Sequence, residues 1–136
     1  METIKIIYTG DLKTRATHCK TGNQLITDAP LDNKGRGETF SPTDLLVTSL
    51  GTCMLTVMGI AAKENNIAIE NTEVRVTKIM GNAPRRVSEV IVEFDMPKKS
   101  FSVQEKKLLE NAAMHCPVIN SMHPDFKKTI KFNYQG

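Results

Sequence analysis

Tryptophan is absent from this 136-residue chain, and aromatic residues make up only 5% of it. A nucleic-acid binder gathers positive charge on one face and adds rings on which bases stack. Here the basic residues come as scattered pairs (Arg85-Arg86, Lys98-Lys99, Lys106-Lys107, Lys127-Lys128) with acids between them, and the net charge is only +3. Neither feature supports nucleic acid as a partner. Cysteine is scarce and odd in number: Cys19, Cys53 and Cys116. The opening "METIKIIYTG" lacks a basic stretch followed by a long apolar run, so no secretory signal is expected. An odd cysteine count without such a signal argues for reduced thiols in the cytoplasm rather than a disulfide scaffold. Glycine and proline are unexceptional, and apolar residues reach 40%. One packed domain over residues 1–136 is therefore expected, with no disordered linker.

Charge is also missing from one long stretch. No charged residue lies between Asp44 and Lys63. Residues 45–62 are long enough to raise the question of a membrane span. Thr48, Ser49, Gly51, Thr52, Thr56 and Gly59 dilute them, so a buried helix is the expectation and a membrane partner is not. Ser41 is a good cap, Pro42 suits the first helical position, and Asp44 stands near the positive end of the dipole. Leu46, Leu50, Cys53, Val57 and Ile60 share one face, and Leu45, Met54, Met58 and Ala61 widen it almost to the whole circumference. A helix apolar nearly all round is surrounded by protein. Asn65-Asn66 should end it.

Elsewhere the pattern alternates. Residues 3–9, 14–20 and 24–28 read as a meander of short strands, followed by a glycine-bearing loop, "APLDNKGRGETF", in which Pro30 disfavours early helix. "TEVRVTKIM" and "VSEVIVEFDM" flank "GNAPRR" as a hairpin. Ser102 and Glu105 form a capping-box pattern before "KKLLENAAMHC", whose stripe is Leu108, Leu109, Ala112 and Ala113. Pro117 should stop that helix at Cys116. "PVINSM" then starts a short helix, and "TIKFNY" closes the chain as a strand. The class is α+β, with strands at both ends around a buried helix.

A reactive cysteine needs a cation, a helix N-terminus or strong donors, because only about 3% of an unperturbed thiol is ionised at pH 7. Local sequence favours Cys116, which precedes a short helix. Cys53, well inside its helix, would need help from across the fold, with Lys13, Arg15 and Arg36 as candidates. Buried cysteines are more often small hydrophobes than nucleophiles, so packing remains open for all three. A metal site has the right atom types in His18, Cys19, His115, Cys116 and His123, but the adjacent His-Cys pairs do not match a structural zinc spacing. No metal is expected. A Cys-His hydrolase is disfavoured too, since the neighbouring His115 and Cys116 would point apart on a helix.

"SPTDLLVTSLGTCM" together with "HCPVINSMHP", in that order and separation, resembles the OsmC/Ohr family of thiol-dependent peroxidases. The likeness runs through the "ITDAPLDNKGRGE" loop to the final strand. It implies an intertwined homodimer with strands wrapped around two long central helices and active sites at the subunit interface. It makes Cys53 the peroxidatic cysteine and Cys116, in "CPV", the resolving one, which reverses the local ranking. It implies a peroxidase that turns organic hydroperoxides into alcohols without a cofactor and is recycled by an external dithiol, either a lipoylated protein or a small thiol. Hydroperoxide reductases of the family hold thiolate and substrate with an arginine and a glutamate. Thr43 stands at the glutamate position with Asp44 offset by one, and the arginine position falls near Leu12 or Lys13. Arg15, Arg36 and Glu38 are the nearest supporting charges. The alternative is an OsmC-like protein that binds a small apolar or electrophilic ligand with little turnover. Met54, Val57 and Met58 would suit an organic substrate beside Cys53.

Overall fold

The computed structural model describes residues 1–135. Two compact units divide the chain, the first ending at Leu46 and the second beginning at Val47.

The first unit is an antiparallel meander, β1 (Ile4–Gly10), β2 (Lys13–His18) and β3 (Gln24–Asp28), in the order β1-β2-β3. The three strands fall where alternation places them. Asp11 and Leu12 take φ of 56° and 62° in the two-residue β1–β2 turn, the left-handed geometry that lets a tight hairpin keep its strand twist. Ile6, Ile7 and Tyr8 on successive positions of β1 are 67%, 55% and 64% exposed. Successive strand residues face opposite sides, so both faces of β1 are open in the single chain. The following loop carries one 3-10 turn, Leu31–Asn33, directly after Pro30, where no helix was expected. Proline fixes φ in a range suited to the residue before a helix, so it did not prevent a single turn. Gly35 lies so close to Ala29 that a Cβ there would fall 1.8 Å from the Ala29 carbonyl oxygen.

Helix α1 runs Pro42–Glu64. Its cap is reciprocal: the Asp44 amide donates to Ser41 Oγ at 3.1 Å and the Ser41 amide to Asp44 Oδ2 at 2.9 Å. It ends at Glu64, just before the expected Asn65-Asn66, and Asn66 takes the left-handed conformation with φ of 55°. Among the described residues it is the one helix long and apolar enough to cross a bilayer, by length and composition only.

In the second unit β4 (Glu73–Gly81) pairs antiparallel with β5 (Arg86–Asp95), and β6 (Lys127–Asn133) lies parallel to β5 on its other side. The connection from β5 to β6 holds α2 (Val103–Met114) and the single-turn α3 (Pro117–Asn120). A parallel neighbour requires such a crossover, a pairing that local patterns did not reveal. The Ser102–Glu105 capping box forms as expected. The core joins Leu50, Met54, Met58 and Ala62 of α1 to Val90, Val92 and Phe94 of β5, with Leu109, Ala113 and Cys116. Gly51 allows a close approach there: a Cβ would stand 2.9 Å from Val76 Cγ2. Burial of α1 is one-sided. Val47, Leu50, Gly51, Met54, Met58 and Ala62 are buried, but Leu46 and Ile60 are 44% and 54% exposed. The expectation of protein all round is met on one face of the helix within the single chain.

Candidate active site

Cys53 and Cys116 both belong to the second unit, and the fold brings them together. Helical periodicity puts Cys53 on the edge of the buried stripe of α1, between Leu50 and Met54 on one side and Thr56 and Ile60 on the other. Its side chain is half-buried. Cys116 ends the α2 connection in extended geometry, φ −90° and ψ 149°, because Pro117 bars it from continuing the helix. Its sulfur is fully buried in the core, and Cys53 is near enough to bear on its protonation. Both cysteines are free thiols.

The short helix after Cys116 uses that sulfur as its cap. Cys116 Sγ accepts the Ile119 N–H at 3.4 Å, and the Val118 amide is near enough to favour negative charge there. These donors favour thiolate, as the local pattern predicts, but burial dominates. Burial pushes the Cys116 thiol above its ordinary range, the Ile119 amide opposes it, and the neighbouring Cys53 sulfur adds to the rise. The expectation that Cys116 is the locally activated thiolate is therefore corrected: a few weak donors at a one-turn helix do not offset removal from water. Met54 and Met58 are corrected as well. Both are fully buried in the core and offer a substrate nothing, whereas Val57 stays half-buried next to the cysteine's face.

The candidate supporting charges all lie in the first unit. Arg15 sits on β2 opposite Ile7 and Ile26. Arg36 pairs with Asp11 at 3.0 Å. Glu38 accepts from Lys13 Nζ at 2.6 Å, and the same ammonium reaches Asp28 Oδ2 at 2.9 Å. Thr43 Oγ1 is bonded to Ser41 Oγ at 3.2 Å. Asp28 was not singled out from sequence, yet it is 1% exposed and anchors the loop: Oδ2 also accepts the Glu38 amide at 3.0 Å. The Glu38 amide and the Lys13 ammonium hold its carboxyl below the usual range, while Glu38 and then Asp28 raise Lys13. An acid closing the apolar strand "QLITD" was the available signal. Cys19 is half-buried in the β2–β3 turn, its amide bonded to Thr3 O at 3.0 Å. His18 Nδ1 bonds Thr21 Oγ1, and His115 Nδ1 donates to Asn111 O, each at 2.7 Å. Among the described residues no three His, Cys, Asp or Glu side chains converge as a metal site.

A family model described as OsmC-like protein matches residues 35–131, a span holding both cysteines and the helices that carry them. The chain belongs to the OsmC-like family. A Psychrobacter arcticus protein assigned to osmotic-stress induction and the detoxification response is 47% identical over 98% of this chain and 96% of its own, with a TM-score of 0.93. An organic hydroperoxide resistance protein OsmC from Legionella pneumophila shares the fold at a TM-score of 0.74 and 15% identity, covering 98% of each chain. One from Elizabethkingia anophelis does so at 0.74 and 18%, covering 98% of this chain and 97% of its own. No curated protein sequence matches the chain. The OsmC-like fold thus accounts for the two three-stranded sheets and three helices seen here.

Proposed function

We propose that this OsmC-like protein acts in peroxide stress as a cytoplasmic, cofactor-free thiol peroxidase that reduces organic hydroperoxides. The observation that carries the reading is that Cys53 and Cys116, far apart in sequence, lie near enough for one to act on the other's ionisation. Their unequal environments match unequal roles. Cys53, half-exposed at the rim of the buried stripe, is the sulfur a peroxide can reach, and it is the peroxidatic residue. Its thiolate attacks the terminal oxygen, the O–O bond breaks, and the alkoxide leaves as the alcohol after taking a proton. Cys53 is left as sulfenic acid. Cys116, buried and held protonated, then condenses with it: the S–S bond forms, the S–OH bond breaks, and the hydroxyl leaves with the thiol proton as water. An external dithiol, a lipoylated protein or a small thiol, takes the disulfide back to two thiols and is itself oxidised.

The functional unit in this proposal is a homodimer. A second chain supplies cover for the open face of α1 and for β1, whose Ile6, Ile7 and Tyr8 are more than half exposed in one chain. The exposed apolar surface next to Cys53 favours an organic peroxide over hydrogen peroxide.

The test is one equivalent of cumene hydroperoxide added to reduced protein. Two thiols should be lost per chain and peptide mass spectrometry should find Cys53 linked to Cys116, while Cys53→Ser should consume no peroxide. A ligand-binding role with little turnover is the second reading. It draws on the engagement of Arg36 with Asp11 and of Glu38 with Lys13. Thiols that survive limiting peroxide intact would decide for it, and a link through Cys19 would count against the Cys53–Cys116 chemistry.

A further inference from the structure

β6 is the outer strand of its sheet, in the order β4-β5-β6, and among the described residues no strand pairs with its far side. Every second residue of such an edge turns its N–H and C=O away from the sheet, which makes a template for one more strand. The two faces of β6 differ in chemistry. Lys127, Thr129 and Lys131 share the face turned away from the core, while Ile130 and Phe132 pack toward it. On the outward face the charge alternates from strand to strand. Arg75 of β4 stands opposite Glu93 of β5 and bonds it at 3.1 Å, and Glu93 in turn stands opposite Lys131. Glu89 stands opposite Lys127, with the carboxylate 3.7 Å from the ammonium. The row of positive, negative, positive stops at the free edge, where an acid would continue it. On the inward face Phe132 stacks on the buried Phe94 with ring centroids 4.7 Å apart. Lys128 is folded back there, its Nζ donating to the Phe126 carbonyl at 2.8 Å. Beside Phe132, α2 borders a groove of about 710 Å³ whose apolar walls are Phe132, Leu108 and Met114, with Lys107 among them. Leu108 and Met114 are exposed in it. Glu110, the acid of this groove, already accepts from Tyr134 Oη at 2.6 Å.

We propose that the free edge of β6 is a docking site for an extended segment of another protein, one in which acidic and apolar residues alternate. The segment adds as a further strand. Its acids meet Lys127 and Lys131 on the outward face, and its apolar side chains enter the groove against Leu108, Met114 and Phe132. Opposite charges directly across a strand pair stabilise it, and like charges oppose it. The same rule disfavours a second copy of this chain as the occupant. β6 against the β6 of another copy would set lysine against lysine. Among the described residues the other free edges are β1, β3 and β4. β1 has no acid, β3 has only the buried Asp28, and β4 has only Glu73. None of them offers two acids for the two lysines. The site lies apart from the thiol chemistry and does not depend on it.

Nuclear magnetic resonance on the isotope-labelled full-length protein tests this. Hydrogen exchange is measured first, with no peptide present. Every second amide of β6 should exchange fast. Slow exchange along the whole strand would mean that a second copy already holds the edge, and overturns the proposal. The probe is then a capped peptide of alternating glutamate and valine, as long as β6. Its control has the same composition with the glutamates and valines in separate blocks. The alternating peptide should shift the amide signals of Lys127–Asn133 and the side-chain signals of Leu108 and Met114, and the block peptide should not. With Lys127→Gln and Lys131→Gln combined, the dissociation constant should rise about fivefold or more, as loss of two cross-strand charge pairs entails. Leu108→Glu alters an exposed wall of the groove without touching the sheet and should weaken binding as well, so the test survives if the double variant folds poorly. Absence of shifts in β6, equal shifts with the block peptide, or folded variants that bind as the parent does would each overturn the proposal.

Discussion

At the scale of single residues, chemistry follows environment more than identity. Three cysteines differ in burial and neighbours, and Cys53 is the cysteine that bears on the Cys116 thiol. Asp28 shows the same logic for charge. Its side chain is buried, yet it stays a carboxylate because the Glu38 amide and the Lys13 ammonium both serve Oδ2. A carboxyl whose folded value lies below its unfolded one, about 3.9, stabilises above that value and loses the contribution as pH falls through the folded value. Thermal unfolding followed from pH 7 to pH 2 should therefore show Asp28→Asn less stable than the parent at neutral pH. The two melting curves should draw together as pH falls below about 4, the unfolded carboxyl's range, and on through the lower folded value. A gap that is constant with pH would assign Asp28 a purely steric role.

At the scale of elements, close packing sets what α1 tolerates. Gly51 faces Val76 across a gap with no room for a side chain, 2.9 Å from a built Cβ to Cγ2. Alanine there would gain helix propensity of about 1 kcal/mol against a small overlap. Valine would add two methyls to the clash. Gly51→Val should destabilise by about 1–3 kcal/mol, read from the urea midpoint at unchanged slope. Cys53 lies on another side of the same helix, so thiol reactivity of the protein that remains folded should be retained. The caps at this scale were readable in advance: Ser41 with Asp44, and Ser102 with Glu105, are local reciprocal bonds among residues three apart. The 3-10 turn after Pro30 and the parallel seat of β6 were not readable, since the first is a marginal conformation and the second is a choice among strands distant in sequence.

At the scale of the whole molecule, the open apolar face of α1 and the exposed β1 are the surfaces that the proposed second chain would cover. Ile60 is 54% exposed on the side of α1 next to Cys53. Light scattering should give the mass of two chains. Ile60→Glu should shift the mass toward one chain and slow peroxide consumption, because a carboxylate would need to be desolvated at the contact. A parent that scatters as one chain at micromolar concentration would remove the dimer from the proposal.

Local rules sufficed for the strands of both sheets, the limits of α1 and α2, the break at Cys116 and the capped turn after it, because each is governed by residues within a few positions of one another. The recognisable pair of cysteine segments pointed to the family and its fold. Tertiary structure alone decided which side of α1 is covered, that Asp28 is buried and anchored, and that burial outweighs the helix-end donors at Cys116. Those outcomes depend on solvent exclusion, and water is excluded by the packing of remote segments that no local pattern in the chain encodes.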